Sequence, residues 1–238
     1  MTYVEGFVLA VPAENKETFR AHASEAVPLF KEFGATRLVE GWGDDVPDGK
    51  VTDFRGAVKA KEDEVVCFSW LEYPDKAARD AANEKMRSDP RMQNMGDMPF
   101  DGQRMIFGGF ATIIDEGTQS RNGYADGFVA AVPEGNKQAY LDMAARAAAV
   151  FREYGATRVV EAWGDDVPDG KVTDFKGAVK AEDGEVVVFS WIEWPSKEAR
   201  AEAWPKLMED ERMKPDHMNM PFDGMRMIYG GFAPIVDA

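Results

Sequence analysis

The 238-residue sequence predicts an α+β protein made of two tandem ferredoxin-like βαββαβ domains. The first observation behind this prediction is a duplication, because residues 35–60 recur almost unchanged as residues 156–181. The second is that strand-like apolar segments alternate with segments of helical apolar spacing in each copy. A repeat of this length indicates a duplicated domain, not a solenoid. We therefore predict one domain over 1–114, a polar linker over 115–122 and a second domain over 123–238.

The elements of the first copy follow from its apolar pattern, and the second copy repeats them. Apolar residues at three- and four-residue spacing from Phe19 to Phe33 predict the first helix, and Gly34 is placed to end it. Alanines between charged residues predict a second helix over 76–87. The predicted strands cover 3–11, 37–42, 65–73 and 104–114. This order places both helices on one face of an antiparallel sheet.

The other face of each sheet is also expected to be buried, because the strands read as nearly continuous apolar runs. The second copy is the obvious cover for that face. Two sheets that face each other would form one barrel inside a single chain, so the chain would be its own pseudo-dimer. Further oligomerisation is compatible with the sequence but not required by it. Gly108 and Gly109, within the last predicted strand, indicate a bulge or a close backbone approach.

The composition favours a cytoplasmic protein that binds neither nucleic acid nor membrane. The net charge is −15, and no run of Lys or Arg offers the clustered positive charge that phosphate binding requires. The N-terminal residues lack the basic and apolar regions of a signal peptide, and no apolar stretch could span a bilayer. Cys67 is the only cysteine, so we expect a buried strand residue and neither a disulfide nor a thiolate cluster.

The densest group of oxygen ligands lies in the acidic turn over 44–53, but its spacing does not match a calcium loop. Counting from Asp44, the third position is Val46 and the twelfth is Arg55, where an EF-hand loop requires oxygen ligands. We therefore expect no metal site, and we expect the aspartates to accept hydrogen bonds from local backbone amides.

The histidines and methionines do not form a recognisable cofactor site. His22 falls in the first predicted helix, and His217 follows Asp216 in a loop of the second copy. A His217–Asp216 dyad is less favoured than a solvated loop, since neighbours in sequence rarely point at each other. The methionines are typical of adaptable core packing. No cofactor is predicted.

Carboxylates within apolar strands are the candidate catalytic groups, because burial raises the pKa of a carboxyl and suits it to acid or base work. The candidate catalytic residues are Glu40, Glu72, Glu161 and Glu193. The candidate substrate-binding residues, which would supply aromatic walls and a guanidinium for an anion, are Trp42, Trp70, Arg104, Trp163, Trp191 and Arg226. Ion pairs at strand ends are the alternative explanation for these charges. We expect a functional pocket to be nearly symmetric and lined from both copies, although Glu40 and Trp42 share a strand face that excludes Arg37.

Four segments of the chain resemble one known family. The segments EGFVLAVP, GATRLVEGWGDDVPDGKVTDF, EVVCFSWLEYP and MPFDGQRMIFGGF resemble the YbaA-like family, a domain of unknown function numbered 1428, and the resemblance covers both copies. It implies the dimeric α/β-barrel superfamily, which includes cofactor-independent monooxygenases and muconolactone-isomerase-like enzymes. The tandem would then be an intrachain dimeric α/β barrel. The resemblance brings no established activity with it.

Three functional hypotheses remain open from the sequence. The first is a cofactor-independent small-molecule enzyme, in which a buried carboxylate serves proton abstraction or oxygenation of an aromatic or enolisable substrate. The second is a non-catalytic small-molecule-binding or sensing barrel, and the third is a structural protein with a filled barrel. A carboxylate in a cavity favours the enzyme, an apolar cavity favours the binding protein, and the absence of a cavity favours the structural protein.

Overall fold

The computed structural model describes residues 2–93 and 96–238, and the side chain of Asp216, considered above for a dyad, lies outside the described part. The strands are β1 Tyr3–Pro12, β2 Arg37–Asp45, β3 Glu64–Tyr73, β4 Ile106–Gly117, β5 Tyr124–Pro133, β6 Arg158–Asp166, β7 Glu185–Trp194 and β8 Ile228–Asp237. The helices are α1 Lys16–Phe33, α2 Phe54–Ala57, α3 Lys76–Ser88, α4 Pro90–Gln93, α5 Lys137–Glu153, α6 Phe175–Ala178, α7 Lys197–Glu209 and α8 Pro215–Met218.

The eight strands form one closed barrel in the order β1-β3-β2-β8-β5-β7-β6-β4. Within each copy the strand order is that of a ferredoxin-like sheet, with the first and third strands in the centre. The two copies join where β2 pairs with β8 and β4 pairs with β6, both antiparallel. The predicted α+β fold with two repeated halves and an intrachain barrel is therefore confirmed. Closure removes the unpaired edges that a single copy would expose.

The structure confirms the predicted helix ends and the predicted bulge, and it shows a longer last strand in the first copy. Gly34 and Gly155 follow α1 and α5 with φ of 118° and 103°, the left-handed conformation that favours glycine at a helix end. The ladder between β4 and β6 shifts register between Gly109 and Phe110, as the predicted bulge requires. β4 starts after a 3₁₀ turn and continues to Gly117, because its last residues pair with β6.

Aromatic side chains fill the barrel. Phe68 and Phe189 stack across the pseudo-twofold axis with ring centroids 4.4 Å apart. Gly6 leaves room for this stack, since a Cβ there would lie 2.8 Å from the Phe189 ring. The short helices α2 and α6 add Phe54 and Phe175 to the same buried cluster. The barrel axis is therefore a packed core, as in the filled-barrel hypothesis.

The long helices cover the outer face of the sheet. Alternation along β3 directs Phe68 and Trp70 into the barrel and Cys67, Ser69 and Leu71 towards the helices. Cys67 is buried on this outer face, which confirms its predicted place in a strand core. Within the described ranges, no helix has the length and apolar character needed to cross a membrane.

Candidate functional site

A pocket of about 330 Å³ lies between α1 and the outer face of the first sheet. Its polar side chains are His22 on α1, Glu40 on β2 and Ser69 on β3. Trp70 also borders it, although its ring stacks on that of Trp191 inside the barrel at 4.7 Å. The remaining lining is Phe7, Leu9, Phe19, Ala23, Ala26, Phe30, Leu38, Leu71, Met92, Gly96, Met98, Phe100 and Met105.

The local sequence explains why these side chains meet. Glu40 lies between Val39 and Gly41, whose positions face the barrel interior, so strand alternation turns Glu40 outward under α1. His22 follows Phe19 by three residues, which places both side chains on the same face of α1. The helix and the sheet therefore contribute one polar side chain each to a cavity that is otherwise mostly apolar.

Glu40 is the carboxyl group of this pocket, and His22 is its other side chain with the chemistry of an acid or base. Burial raises the pKa of Glu40 to about 7, against a smaller lowering effect of the Ser69 hydroxyl. That hydroxyl donates to Oε2 of Glu40, and none of the described residues donates to Oε1. The carboxyl therefore changes protonation near neutral pH and keeps one oxygen available to a molecule in the pocket.

The second copy has a corresponding but smaller pocket, of about 150 Å³. Glu161 and Ser190 take the places of Glu40 and Ser69, and burial raises the pKa of Glu161 as well. Here the Tyr140 hydroxyl also donates to Oε2 of Glu161, at 2.6 Å. The equivalent of Tyr140 in the first copy is Phe19, which has no hydroxyl.

Glu72 and Glu193 lie in a buried ion-pair cluster inside the barrel. Arg37 donates to both carboxylate oxygens of Glu193, at 2.7 and 3.1 Å. Arg158 donates to both oxygens of Glu72 in the same way, at 2.8 and 2.9 Å. The indole N–H of Trp70 donates to Glu72, and that of Trp191 donates to Glu193. These contacts join the two copies, and the catalytic role of Glu72 and Glu193 stays a prediction without support from their surroundings.

The remaining predicted residues are not among those that line the pocket of Glu40. Arg104 forms a two-point ion pair with Glu64, which holds the pKa of Glu64 at about 2, and Arg226 pairs likewise with Glu185. Trp42 packs on the outer face beside Phe19 in a neighbouring core cluster. Its equivalent, Trp163, packs against Tyr140 with ring centroids 6.2 Å apart. Their substrate-binding role stays a prediction.

The expectation of a symmetric pocket lined from both copies is wrong for these two cavities. Each is lined by its own copy, and the two differ in volume and in polar groups. A groove of about 500 Å³ at one end of the barrel is lined from both copies, but by none of the predicted site residues. Its carboxylates, Asp53 and Asp174, are used to cap α2 and α6.

The acidic turns serve mainly as contacts between the copies. Lys197 and the Tyr124 hydroxyl bind Asp44, and Arg200 binds Asp45. Asp53 accepts hydrogen bonds from local backbone amides, as predicted. Among the residues whose placement is described, no group of three or more His, Cys, Asp or Glu is arranged to hold a metal ion.

Sequence reasoning missed His22, Ser69 and the methionines as pocket residues. The signal for His22 was present, since it shares a helix face with Phe19 and is replaced by Met143 in the other copy. Ser69 could have been found from the strand register, because it lies directly opposite Glu40 in the β2–β3 ladder. Both patterns can be interpreted as pocket residues only when it is known that the pocket lies outside the barrel.

The fold is shared with solved structures of low sequence identity. A candidate monooxygenase from Fusobacterium nucleatum superposes with a TM-score of 0.59 at 11% identity, over 99% of this chain and 93% of that chain. A candidate monooxygenase from Lactobacillus acidophilus gives 0.58 at 10% identity, over 100% and 95%. An anthrone oxidase-like protein gives 0.53 at 11% identity, over 100% and 92%. These similarities show that the chain shares its α+β barrel fold with these structures.

The family is established by sequence. The family described as "Protein of unknown function (DUF1428)" matches residues 2–102 and 123–224, and the chain belongs to it. The uncharacterized protein YbaA of Escherichia coli strain K12 is 68% identical over 117 residues, which are 49% of this chain and 100% of that protein. The present chain therefore carries in tandem a unit that YbaA has once.

Proposed function

We propose that the first-copy pocket is the active site of a small-molecule enzyme in which Glu40 transfers a proton. The observation that carries this proposal is a carboxyl with a pKa of about 7 in a largely apolar cavity. General acid–base catalysis is most effective when the catalytic pKa lies near the working pH. The fold neighbours described as candidate monooxygenases and as anthrone oxidase-like agree with an aromatic or enolisable substrate.

The pocket suits an apolar substrate with few polar groups. Phe7, Phe19 and Phe30 offer aromatic contacts, and the thioethers of Met92 and Met98 can adapt to irregular shapes. The polar atoms of the substrate would meet Glu40 and Ser69 on the sheet side and His22 on the helix side. Such a site combines binding by apolar burial with orientation by a few polar contacts.

The proposed step is a proton transfer without a cofactor. The ionised carboxylate of Glu40 takes a proton from a carbon next to a carbonyl, and the electron pair of the broken C–H bond remains on the substrate as an enolate. The proton then returns from the Glu40 carboxyl to carbon or to oxygen. Oxygenation, in which molecular oxygen would react with the same carbanion, remains a prediction.

The test uses 2-tetralone, a two-ring enolisable ketone, as the probe. Proton nuclear magnetic resonance in deuterium oxide follows exchange of the α-hydrogens with and without the protein. We expect the wild-type chain to accelerate exchange and Glu40→Gln to lose about 100-fold or more of that acceleration, a typical contribution of one general base. Glu161→Gln is the matched control and should retain it. Equal exchange by the wild-type and Glu40→Gln chains would overturn the proposal.

A non-catalytic binding protein is the second candidate, and the predominance of apolar and thioether groups in the lining favours it. In that case 2-tetralone would bind in the first pocket without accelerated exchange. The same experiment therefore separates the two functions. Binding can be followed independently of exchange, through the chemical shifts of the methyl groups of Met92 and Met98.

A further inference from the structure

The second-copy pocket contains a hydroxyl group from the chain itself. Tyr140 lies on α5, and its hydroxyl donates a 2.6 Å hydrogen bond to Oε2 of Glu161, an oxygen to which Ser190 also donates. Tyr140 is 4% exposed, and its ring packs against Trp163 and Phe222. The phenol of Tyr140 thus already binds the carboxylate–serine pair of this copy, which consists of Glu161 and Ser190.

The first copy has the equivalent carboxylate–serine pair, Glu40 and Ser69, without a phenol beside it. Phe19 takes the place of Tyr140 in the chain and also lines its pocket, where its ring packs edge-on against Phe100 at 5.8 Å. The first pocket is about 330 Å³, against about 150 Å³ in the second. His22 in the first pocket is replaced by Met143 in the second, where Met218 is a further lining residue.

We propose that Tyr140 is a built-in occupant of the second pocket, so that the chain has one open ligand site, in the first copy, for a hydroxylated aromatic molecule. The hydrogen bond from Tyr140 to Glu161 shows which group the carboxylate–serine pair accepts when an aromatic ring lies beside it. In the first copy the ligand supplies that hydroxyl, as a phenol or an enol, and donates it to Glu40.

This inference rests on the proposed function only in taking Glu40 as the polar anchor of the first pocket. The enol that forms when a proton returns to the oxygen of the substrate would bind Glu40 as Tyr140 binds Glu161. A hydrogen bond to a charged carboxylate is stronger than one between neutral groups, so the hydroxyl contributes strongly to affinity. An aromatic molecule of the same shape without a donor should bind the first pocket weakly.

The experiment titrates the full chain with 2-naphthol by calorimetry, up to the solubility limit of the probe. We expect one equivalent to bind to the wild-type chain. Phe19→Tyr should weaken binding about tenfold or more, because the new hydroxyl would occupy Glu40 as Tyr140 occupies Glu161. Phe107→Tyr is the control, since this 44% exposed residue is also replaced by tyrosine, Tyr229, in the other copy. It should bind as the wild-type chain does.

Two further titrations complete the test. The wild-type chain should bind 2-methoxynaphthalene, which has no donor, about tenfold or more weakly than 2-naphthol, and this result does not depend on a variant that folds. The double variant Tyr140→Phe and Met143→His should bind a second equivalent of 2-naphthol. The inference is overturned if the wild-type chain binds no 2-naphthol, or if it binds two equivalents with equal affinity. It is also overturned if Phe19→Tyr binds 2-naphthol with wild-type affinity, or if the double variant still binds only one equivalent of 2-naphthol. Tight binding of 2-naphthol without exchange of 2-tetralone would refute the proposed enzyme and leave this inference standing.

Discussion

The chemical role of a buried carboxylate depends on its hydrogen-bond and ion-pair partners. Glu72 is 3% exposed, but Arg158 neutralises it through two hydrogen bonds, and Arg37 lies 3.5 Å from the same carboxylate. Glu40 has a hydroxyl as its hydrogen-bond partner, and burial raises its pKa. For this reason Glu40 is the carboxyl to which we assign the proposed proton transfer.

A second effect at the scale of single residues is the absence of a side chain at Gly6. We expect Gly6→Ala to lower the free energy of unfolding by about 1–3 kcal/mol, because the new Cβ would lie 2.8 Å from the Phe189 ring. That ring is held between Phe68 and Phe110, at centroid distances of 4.4 and 5.2 Å, so it cannot move aside without disturbing the stack.

The measurement is the midpoint of urea unfolding. The control is Gly135→Ala, where a Cβ would have no atom within 4 Å, and this variant should stay within about 0.5 kcal/mol of the wild-type chain. A Gly6→Ala chain as stable as the control variant would show that the barrel core is loosely packed.

At the scale of elements, α1 and α5 show how two copies of one helix can diverge. The two helices lie over equivalent strands, α1 over β1, β2 and β8 and α5 over β5, β6 and β4, yet Phe19 and His22 of α1 correspond to Tyr140 and Met143 of α5. The exchanged side chains line the two pockets and change both their polar groups and their volumes. The difference between the copies is therefore chemical as well as steric.

Most long elements were predictable because apolar spacing follows the period of a strand or helix. The helix α2 was missed because four residues are too few to show a period. Its N-cap, Asp53, was present in the sequence and accepts a hydrogen bond from the amide of Gly56. The extension of β4 to Gly117 was also missed, since it depends on pairing with β6 from the other copy.

The sequence alone indicated Glu40 as a candidate residue of the site, but it did not indicate on which face of the sheet the pocket lies. Glu40 stood out as a carboxylate in an apolar strand, but strands buried on both faces give no clue about which face holds a cavity. The barrel side is filled by Phe68 and its partners, whereas the helix side leaves a pocket. Residues from β3 and α1 complete the pocket only after the chain has folded.

At the scale of the whole molecule, the duplication makes one chain equivalent to a dimer. Arg37 from the first copy binds Glu193 from the second, and Arg158 binds Glu72 in return. The ladders β2–β8 and β4–β6 close the barrel on both sides of this cluster. Each half therefore depends on the other for its edges and for the pairing of its buried charges.

We expect residues 1–117 alone to form a dimer, because β2 of one fragment can pair with β4 of another as β2 pairs with β8 in the full chain. Sedimentation measures the association. Arg37→Ala should weaken it by removing the buried pairing, whereas Arg20→Ala, an exposed change on α1, should leave it unchanged. A stable folded monomer of the fragment would contradict this view of the barrel.

If Glu40 exchanges a proton in its pocket, the titration of its own carboxyl should show this. Carbon-13 resonance of the side-chain carboxyl, assigned by comparison with Glu40→Gln, should follow a midpoint near pH 7. Since the folded chain binds this proton more tightly than the unfolded chain, the associated stability should be present at low pH and be lost as the pH rises through about 7. A midpoint near the ordinary glutamate value of about 4.3 would contradict the account.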